Sequence, residues 1–162
     1  MTEQASPPMP TPTAEHEVLA EKAGNWNVAC KFYMDPSQPP MEVEAVEAME
    51  MVGPFWTLSK YEADLMGFPF VGRATLGYQP HTGQWVSTWI DSMSPTLFHF
   101  TGAMEGDTLV MKGENWNCHV DAMSMYRTTE KRISADEFEF EMFVTMPDGN
   151  EMKTMSMRYT RA

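Results

Sequence analysis

From Asn25 onward the sequence alternates apolar and polar residues with a period of two, and turn-forming residues recur about every ten positions. This pattern is typical of the antiparallel sheets of β-sandwiches and β-barrels. No second helical pattern of useful length follows, so we exclude a parallel βαβ architecture and expect consecutive strands to pair as a meander. The pattern predicts ten strands, at residues 25–34, 41–51, 55–63, 69–78, 84–92, 96–104, 107–113, 121–133, 136–146 and 151–161.

The first residues of the chain follow a different pattern. Residues 1–13 are rich in Pro, Ser and Thr and lack apolar periodicity, which predicts a disordered tail. Thr13 can cap a short helix from Ala14 to Ala23, with Gly24 just past its end. A helix of this length is not stable alone, so we expect it to pack on a single domain that spans residues 14–162.

The pair Asp148-Gly149 lies between two alternating runs and predicts a tight hairpin. A two-residue turn at this pair fixes the register of the last two strands and places their apolar residues on one face. The opposed core pairs are then Met142 with Met155, Phe140 with Met157 and Phe138 with Tyr159, while Glu139 lies opposite Arg158 on the face toward water.

Ten strands with one apolar face each can form either two packed sheets or one closed barrel. The segment Gly24-Asn25-Trp26 favours the barrel, because it lies where the short helix enters the first strand. It resembles the Gly-x-Trp motif of the calycin superfamily, in which the Trp closes one end of the barrel. We therefore expect an all-β fold: a closed antiparallel meander barrel of about ten strands, lipocalin-like, with one short N-terminal helix.

A longer resemblance covers nearly the whole ordered chain. The run Leu76-Gly77-Tyr78-Gln79-Pro80, followed by Trp85 and by Trp89-Ile90-Asp91-Ser92-Met93, is similar to the signature of an uncharacterised bacterial family of lipocalin-like barrel domains. That family is catalogued as a domain of unknown function. The resemblance implies the fold and leaves the activity open.

Charge and cysteine content narrow the partners and the compartment. The chain has 11 Lys and Arg against 23 Asp and Glu, a net charge of −12, which disfavours nucleic acid and anionic membranes as partners. Cys30 and Cys118 are too few for a disulfide framework, so we expect both thiols to be reduced. No secretory signal pattern begins the sequence, and we expect a cytoplasmic protein.

A barrel of this size encloses a space that can hold side chains or a small ligand. We predict that the protein binds a small apolar or amphipathic molecule there, with any polar or anionic end near Arg127. The 17 methionines suit either a soft core or an adaptable pocket. The predicted ligand-binding residues are Trp26, Trp89, Asp91, His99, Trp116, Tyr126 and Arg127.

Three of these residues have a plain structural alternative. Asp91 can cap the turn that follows it. His99, between two phenylalanines, can be a neutral core histidine with satisfied hydrogen bonds. Arg127 continues the alternation of Met123 and Met125, which predicts an inward side chain, unless a bulge turns it outward toward Glu130 or Glu139.

Other functions stay open at this stage. One is a metal-independent isomerase, cyclase or hydrolase that uses Asp91, His99 or Tyr126 for proton transfer. A weaker alternative is haem binding through His99, and another is partner binding or a homodimer through an exposed apolar patch. Cys118 and His119, with nearby acidic residues, lack a second paired motif, so we predict no metal site and no cofactor.

Overall fold

The computed structural model describes residues 6–162, and it is a closed ten-stranded antiparallel barrel with one short helix. This confirms the predicted fold. The helix is α1 (Ala14–Lys22), and the strands are β1 (Gly24–Phe32), β2 (Met41–Val52), β3 (Trp56–Leu65), β4 (Phe68–Gln79), β5 (Gln84–Asp91), β6 (Ser94–Glu105), β7 (Thr108–Asn117), β8 (Ala122–Ser134), β9 (Glu137–Thr145) and β10 (Glu151–Arg161).

Each strand pairs with the next in sequence, and β1 pairs with β10 to close the barrel. In such a meander, alternate turns lie at the same end of the barrel. The turns β2–β3, β4–β5, β6–β7 and β8–β9 therefore share one end with α1, which we call the helix end. The other five turns surround the opposite end, which we call the mouth.

The helix is fixed to the barrel by two buried side chains. Leu19 is fully buried in the core, and His16 is 2% exposed. The backbone N–H of Thr13 donates to Nδ1 of His16 at 2.9 Å, and Nε2 of His16 lies 3.0 Å from the carbonyl oxygen of Tyr78. Both ring nitrogens are thus engaged at the helix end, where α1 packs on β2, β3 and β4.

The last hairpin has the predicted core register, but it is reached differently. The two-residue turn is wrong: the loop spans residues 146–150, so Thr145 pairs with Glu151. A bulge between Lys153 and Met155 then shifts the register by one residue. Beyond the bulge the predicted pairs are confirmed, namely Met142 with Met155, Phe140 with Met157, Phe138 with Tyr159 and Glu139 with Arg158.

Strand β7 extends four residues beyond its predicted end at Gly113, to Asn117. The glycine is needed for close packing, since a Cβ there would lie 1.9 Å from the carbonyl oxygen of His99. Just beyond it the Asn115 side chain accepts a hydrogen bond from the His99 N–H at 2.9 Å and donates to the His99 carbonyl at 3.2 Å. Backbone pairing between β6 and β7 ends at Thr101 and Lys112, and beyond that point the inward Asn115 side chain bonds to the β6 backbone.

Residues 6–12 form no helix or strand and are exposed, and residues 1–5 of the predicted tail lie outside the described part of the chain. Cys30 is buried and Cys118 is exposed, and both are free thiols, as expected. Among residues 6–162 there is no helix with the length and apolar character needed to cross a membrane.

Candidate ligand site in the barrel lumen

The helix end of the space enclosed by the barrel, the lumen, is closed by Trp26. This side chain is 2% exposed and packs edge to face on Phe138, with 4.9 Å between ring centroids. Its Nε1 donates to the carbonyl oxygen of Lys22 at 2.9 Å. The guanidinium carbon of Arg161 lies 4.2 Å from the centre of the Trp26 ring, a cation–π contact.

Arg161 ties the helix to the barrel around this tryptophan. Its Nη1 donates to the carbonyl of Ala23, and its Nη2 donates to the carbonyls of Glu21 and Ala135, all at 2.9–3.0 Å. Its Nε donates to Asp136 at 3.0 Å. Trp26 therefore closes this end as part of a hydrogen-bonded plug, and its predicted position at the barrel end is confirmed.

The mouth half of the lumen is lined by apolar side chains that remain partly exposed. They come from eight strands on both sides of the barrel, and several are flexible methionines. Tyr126 joins them, packed edge to face on Phe98 with centroids 5.5 Å apart. The half-buried lining residues are Phe32, Val43, Ala63, Phe70, Trp89, Phe98, Phe140, Met142, Met152 and Met155.

Trp89 lies on the inner wall near the mouth, stacked on Phe70 and edge to face with Tyr61. Its Nε1 donates to Oδ2 of Asp91 at 2.8 Å. The other carboxylate oxygen accepts the backbone N–H of Met93 at 2.9 Å, which is the turn-capping contact considered in the sequence. Asp91 thus orients the Trp89 ring and caps the β5–β6 turn.

Gly72 makes room for that ring, because a Cβ at this position would lie 2.1 Å from a Trp89 ring carbon. We expect Gly72→Val to lower the free energy of unfolding by about 1–3 kcal/mol, since the added side chain must displace the indole. Urea denaturation followed by circular dichroism measures the loss. In a Trp89→Leu background the same substitution should cost clearly less, and an equal cost in both backgrounds would contradict this assignment.

Three predicted ligand residues lie outside the lumen, which corrects the prediction. His99 is exposed on the outer face of β6, and Trp116 is 41% exposed on the outer face of β7. Arg127 lies on the outer face of β8. The reason is register: Tyr126 pairs with the inward Val144, and cross-strand partners share a face. The inward residues of β8 are therefore Ser124, Tyr126, Thr128 and Glu130, and Met123 and Met125 point outward.

Arg127 is occupied on the outer surface. Its Nε and Nη2 donate to the two carboxylate oxygens of Glu151 at 2.8 and 3.0 Å, and its guanidinium lies over the Phe143 ring. The partner is thus Glu151 on β10 and neither Glu130 nor Glu139. Because Arg127 does not face the lumen, it does not provide the anion-binding group that we expected inside the barrel.

The lumen instead contains polar groups that sequence analysis did not single out. Glu47, Ser59 and Tyr61 face inward from β2 and β3 and are 5%, 5% and 1% exposed. Within residues 6–162, Oε2 of Glu47, Oγ of Ser59 and Oη of Tyr61 make no hydrogen bond of ordinary geometry, although the Ser59 hydroxyl lies near Glu47 and the Cys30 thiol lies near Tyr61. Three such atoms on neighbouring strands are unusual, because buried polar atoms are nearly always hydrogen-bonded.

The low polarity around these groups shifts their acid–base behaviour. Burial raises the pKa of Glu47 above its ordinary value of 4.5, although the nearby hydroxyls of Ser59 and Tyr159 act in the opposite direction. Burial also raises the pKa of Cys30 to about 12 and raises that of Tyr61, beside the Cys30 thiol. Burial thus shifts all three groups toward their neutral forms, and it leaves polar atoms enclosed among apolar side chains.

One signal for Glu47 was present in the sequence. Its neighbours at every second position in β2 are Val43, Ala45, Met49 and Met51, so a single carboxyl interrupts an apolar face. Ser59 and Tyr61 gave no comparable signal, because hydroxyl residues are common on both faces of strands. The inward positions of Ser59 and Tyr61 are therefore evident only from the structure.

Two depressions lie elsewhere on the molecule. A crevice of about 50 Å³ lies between α1 and the strands β8 and β9, and Lys22, Trp26 and Glu130 line it. A groove of about 570 Å³ lies along β1 to β4 toward the helix end, and outward residues such as Ala48, Leu58 and Arg73 line it. Among the predicted ligand residues, only Trp26 lines either depression. The lumen is the better candidate site, because it combines half-buried apolar walls with unpartnered polar atoms.

Comparison with known proteins places the chain in a family. The sequence profile described as "Protein of unknown function (DUF1579)" matches residues 11–161. The chain belongs to this family. The match covers α1 and all ten strands. Among curated proteins, none matches the sequence.

Solved structures of similar fold include two natural barrel proteins. Rv2717c from M. tuberculosis is 14% identical, with a TM-score of 0.66, and the match covers 93% of this chain and 98% of that one. The S-type phycobiliprotein lyase CPES from Guillardia theta is 11% identical, with a TM-score of 0.65 and the same coverage of both chains. At such low identity these similarities show the fold alone, a closed antiparallel barrel.

Proposed function

We propose that this family member is a binding protein that holds one small, largely apolar or amphipathic molecule in the mouth half of its lumen. The observation that carries the proposal is the lining of that half: apolar side chains from both sides of the barrel face inward yet remain partly exposed. Exposed apolar surface that faces inward is stabilised when a ligand covers it.

The methionines near the mouth support this proposal. Met142, Met152 and Met155 have long, unbranched side chains that adopt several shapes at little cost. They can move to admit a ligand between the rigid aromatic rings of Trp89 and Phe98.

The test uses an environment-sensitive apolar fluorescent probe and a variant that fills the mouth. Ala63 faces inward at the mouth, so Ala63→Trp is expected to weaken probe binding at least about tenfold by occupying the space. Ala48→Trp is the matched control, because Ala48 is exposed on the outer face of the adjacent strand and lines the outer groove. Fluorescence titration measures both affinities.

The control also separates the two possible locations. If Ala48→Trp weakens binding and Ala63→Trp does not, the probe binds the outer groove and the proposal is wrong. Native mass spectrometry of gently purified wild-type protein is an independent check, with a stoichiometric small molecule as the expected result.

Proton-transfer catalysis with His99 and haem binding through His99 both require this residue inside the barrel. His99 is exposed on the outer face, so it cannot share the lumen with Asp91 for proton transfer or bind a haem enclosed there. His16 is the one buried histidine among residues 6–162, and both of its ring nitrogens already have partners.

A further inference from the structure

The three unpartnered atoms form one polar site on one wall of the lumen. Glu47 lies directly opposite Tyr61 on β3, and Ser59 lies two residues along β3 on the same face. The Tyr61 ring contacts Phe70 and Trp89 of the mouth lining, with centroids 5.8 and 5.9 Å apart. A ligand in the mouth half of the lumen thus has this polar site at its inner end.

The charges around Glu47 determine what the site can bind. The titratable groups near it are Lys22 on α1, Tyr61 on β3, Glu130 on β8 and Tyr159 on β10, and Cys30 on β1 lies beside Tyr61. Lys22 is the single cation in this set, and its Nζ is paired with Oε1 of Glu130 at 2.6 Å. The site therefore offers a carboxyl group, hydroxyls and a thiol, and no unpaired cation to hold an anion.

We propose that the ligand carries a basic nitrogen at its polar end, and that this nitrogen binds Glu47 as an ammonium with Ser59 and Tyr61 as further hydrogen-bonding groups. This inference rests on the proposed function, because it assumes that an apolar ligand enters the lumen. An ammonium binds the carboxylate form of Glu47, so any proton that the carboxyl group holds before binding leaves for the solvent as the ion pair forms. Three N–H donors suit a site rich in acceptor oxygens.

The test compares three probes with the same ten-carbon tail: decylamine, decanol and decanoate. Their apolar contributions cancel, so differences in affinity report the polar end. We expect decylamine to displace the fluorescent probe at least about tenfold more tightly than decanol, because charge-assisted hydrogen bonds are roughly twice as strong as neutral ones. Decanoate should bind most weakly. Because binding of the ammonium releases a proton from Glu47, decylamine affinity should also rise with pH, while decanol affinity stays constant.

The matched variants are Glu47→Gln and Glu44→Gln. Each removes one negative charge, but Glu44 is exposed on the outer face of the same strand. We expect Glu47→Gln to bind decylamine and decanol within about twofold of each other, and Glu44→Gln to keep the wild-type preference. If both variants lose the preference equally, it reflects general attraction to the acidic chain, and the inference is overturned.

Other outcomes separate this inference from the proposed function. If none of the three probes binds, the proposed function fails. If decanol binds as tightly as decylamine, the polar site does not prefer a basic nitrogen. The inference is then wrong, while the proposed function stands. Should Glu47→Gln not fold cooperatively, Ser59→Ala and Tyr61→Phe replace it, each expected to reduce the decylamine preference several-fold, and an unchanged preference in both would overturn the inference.

Discussion

Trp26→Ala is expected to lower the free energy of unfolding by about 3–5 kcal/mol, the range found when large buried aromatic residues are truncated. Trp26 is 2% exposed, packs on Phe138 and lies under the Arg161 guanidinium. Its loss would leave a cavity at the helix end and remove the ring on which the Arg161 guanidinium packs. Arg161 in turn bonds to the end of α1. Urea denaturation followed by far-ultraviolet circular dichroism measures the change.

A second tryptophan provides the control. Trp116 is 41% exposed on the outer face of β7, so Trp116→Ala should change stability by less than about 1 kcal/mol. Comparable losses in the two variants would show that closure of the helix end does not depend on Trp26. The comparison also tests the placement of Trp116, which sequence analysis assigned to the lumen.

The overall fold was predictable because many strands share one simple pattern. Alternation and turn residues gave all ten strands, with ends that differ by a few residues. The last hairpin shows why this can succeed despite a local error. The loop at Asp148-Gly149 is longer than predicted, but the bulge before Met155 restores the pairing that buries both apolar faces. Burial of the core thus constrains the register more than the turn does.

The facing of β8 was not predictable in the same way. Met123 and Met125 are more apolar than Ser124 and Thr128, yet the methionines lie outside. The sequence of one strand does not determine which face points inward when both faces carry polar and apolar residues. For β8, the pairing with β9 determines which face is buried. The same ambiguity misplaced Arg127, and with it the polar part of the predicted site.

The structure moves the interior polar group from Arg127 to Glu47, and this has a consequence for stability. Burial raises the pKa of Glu47 above 4.5, so the folded state binds this proton more tightly than the unfolded state does. The contribution of Glu47 to stability is therefore fully present below the ordinary glutamate pKa and is lost as the pH rises through the higher folded-state pKa. Each unit of that elevation corresponds to about 1.4 kcal/mol.

Glu47→Gln should remove this dependence. At pH 8 we expect the variant to be more stable than the wild type by about 1–3 kcal/mol, since the amide has no charge to desolvate. The advantage should shrink and then reverse or vanish toward pH 4.5. Chemical denaturation of both proteins across pH 4.5–8 gives the difference directly.

The effect of Glu47 is read from the difference in stability between the two proteins, because other carboxyl groups give stability the opposite dependence on pH. Hydrogen bonds to the Ser37 backbone and hydroxyl lower the pKa of Asp35, and the Arg127 side chain lowers that of Glu151, so their stabilising effects are lost as the pH falls. Glu44→Gln, altered at an exposed position, should follow the wild-type curve. A Glu47→Gln curve parallel to the wild type would show that Glu47 is ionised alike in both states, and that the lumen is more polar than its lining residues indicate.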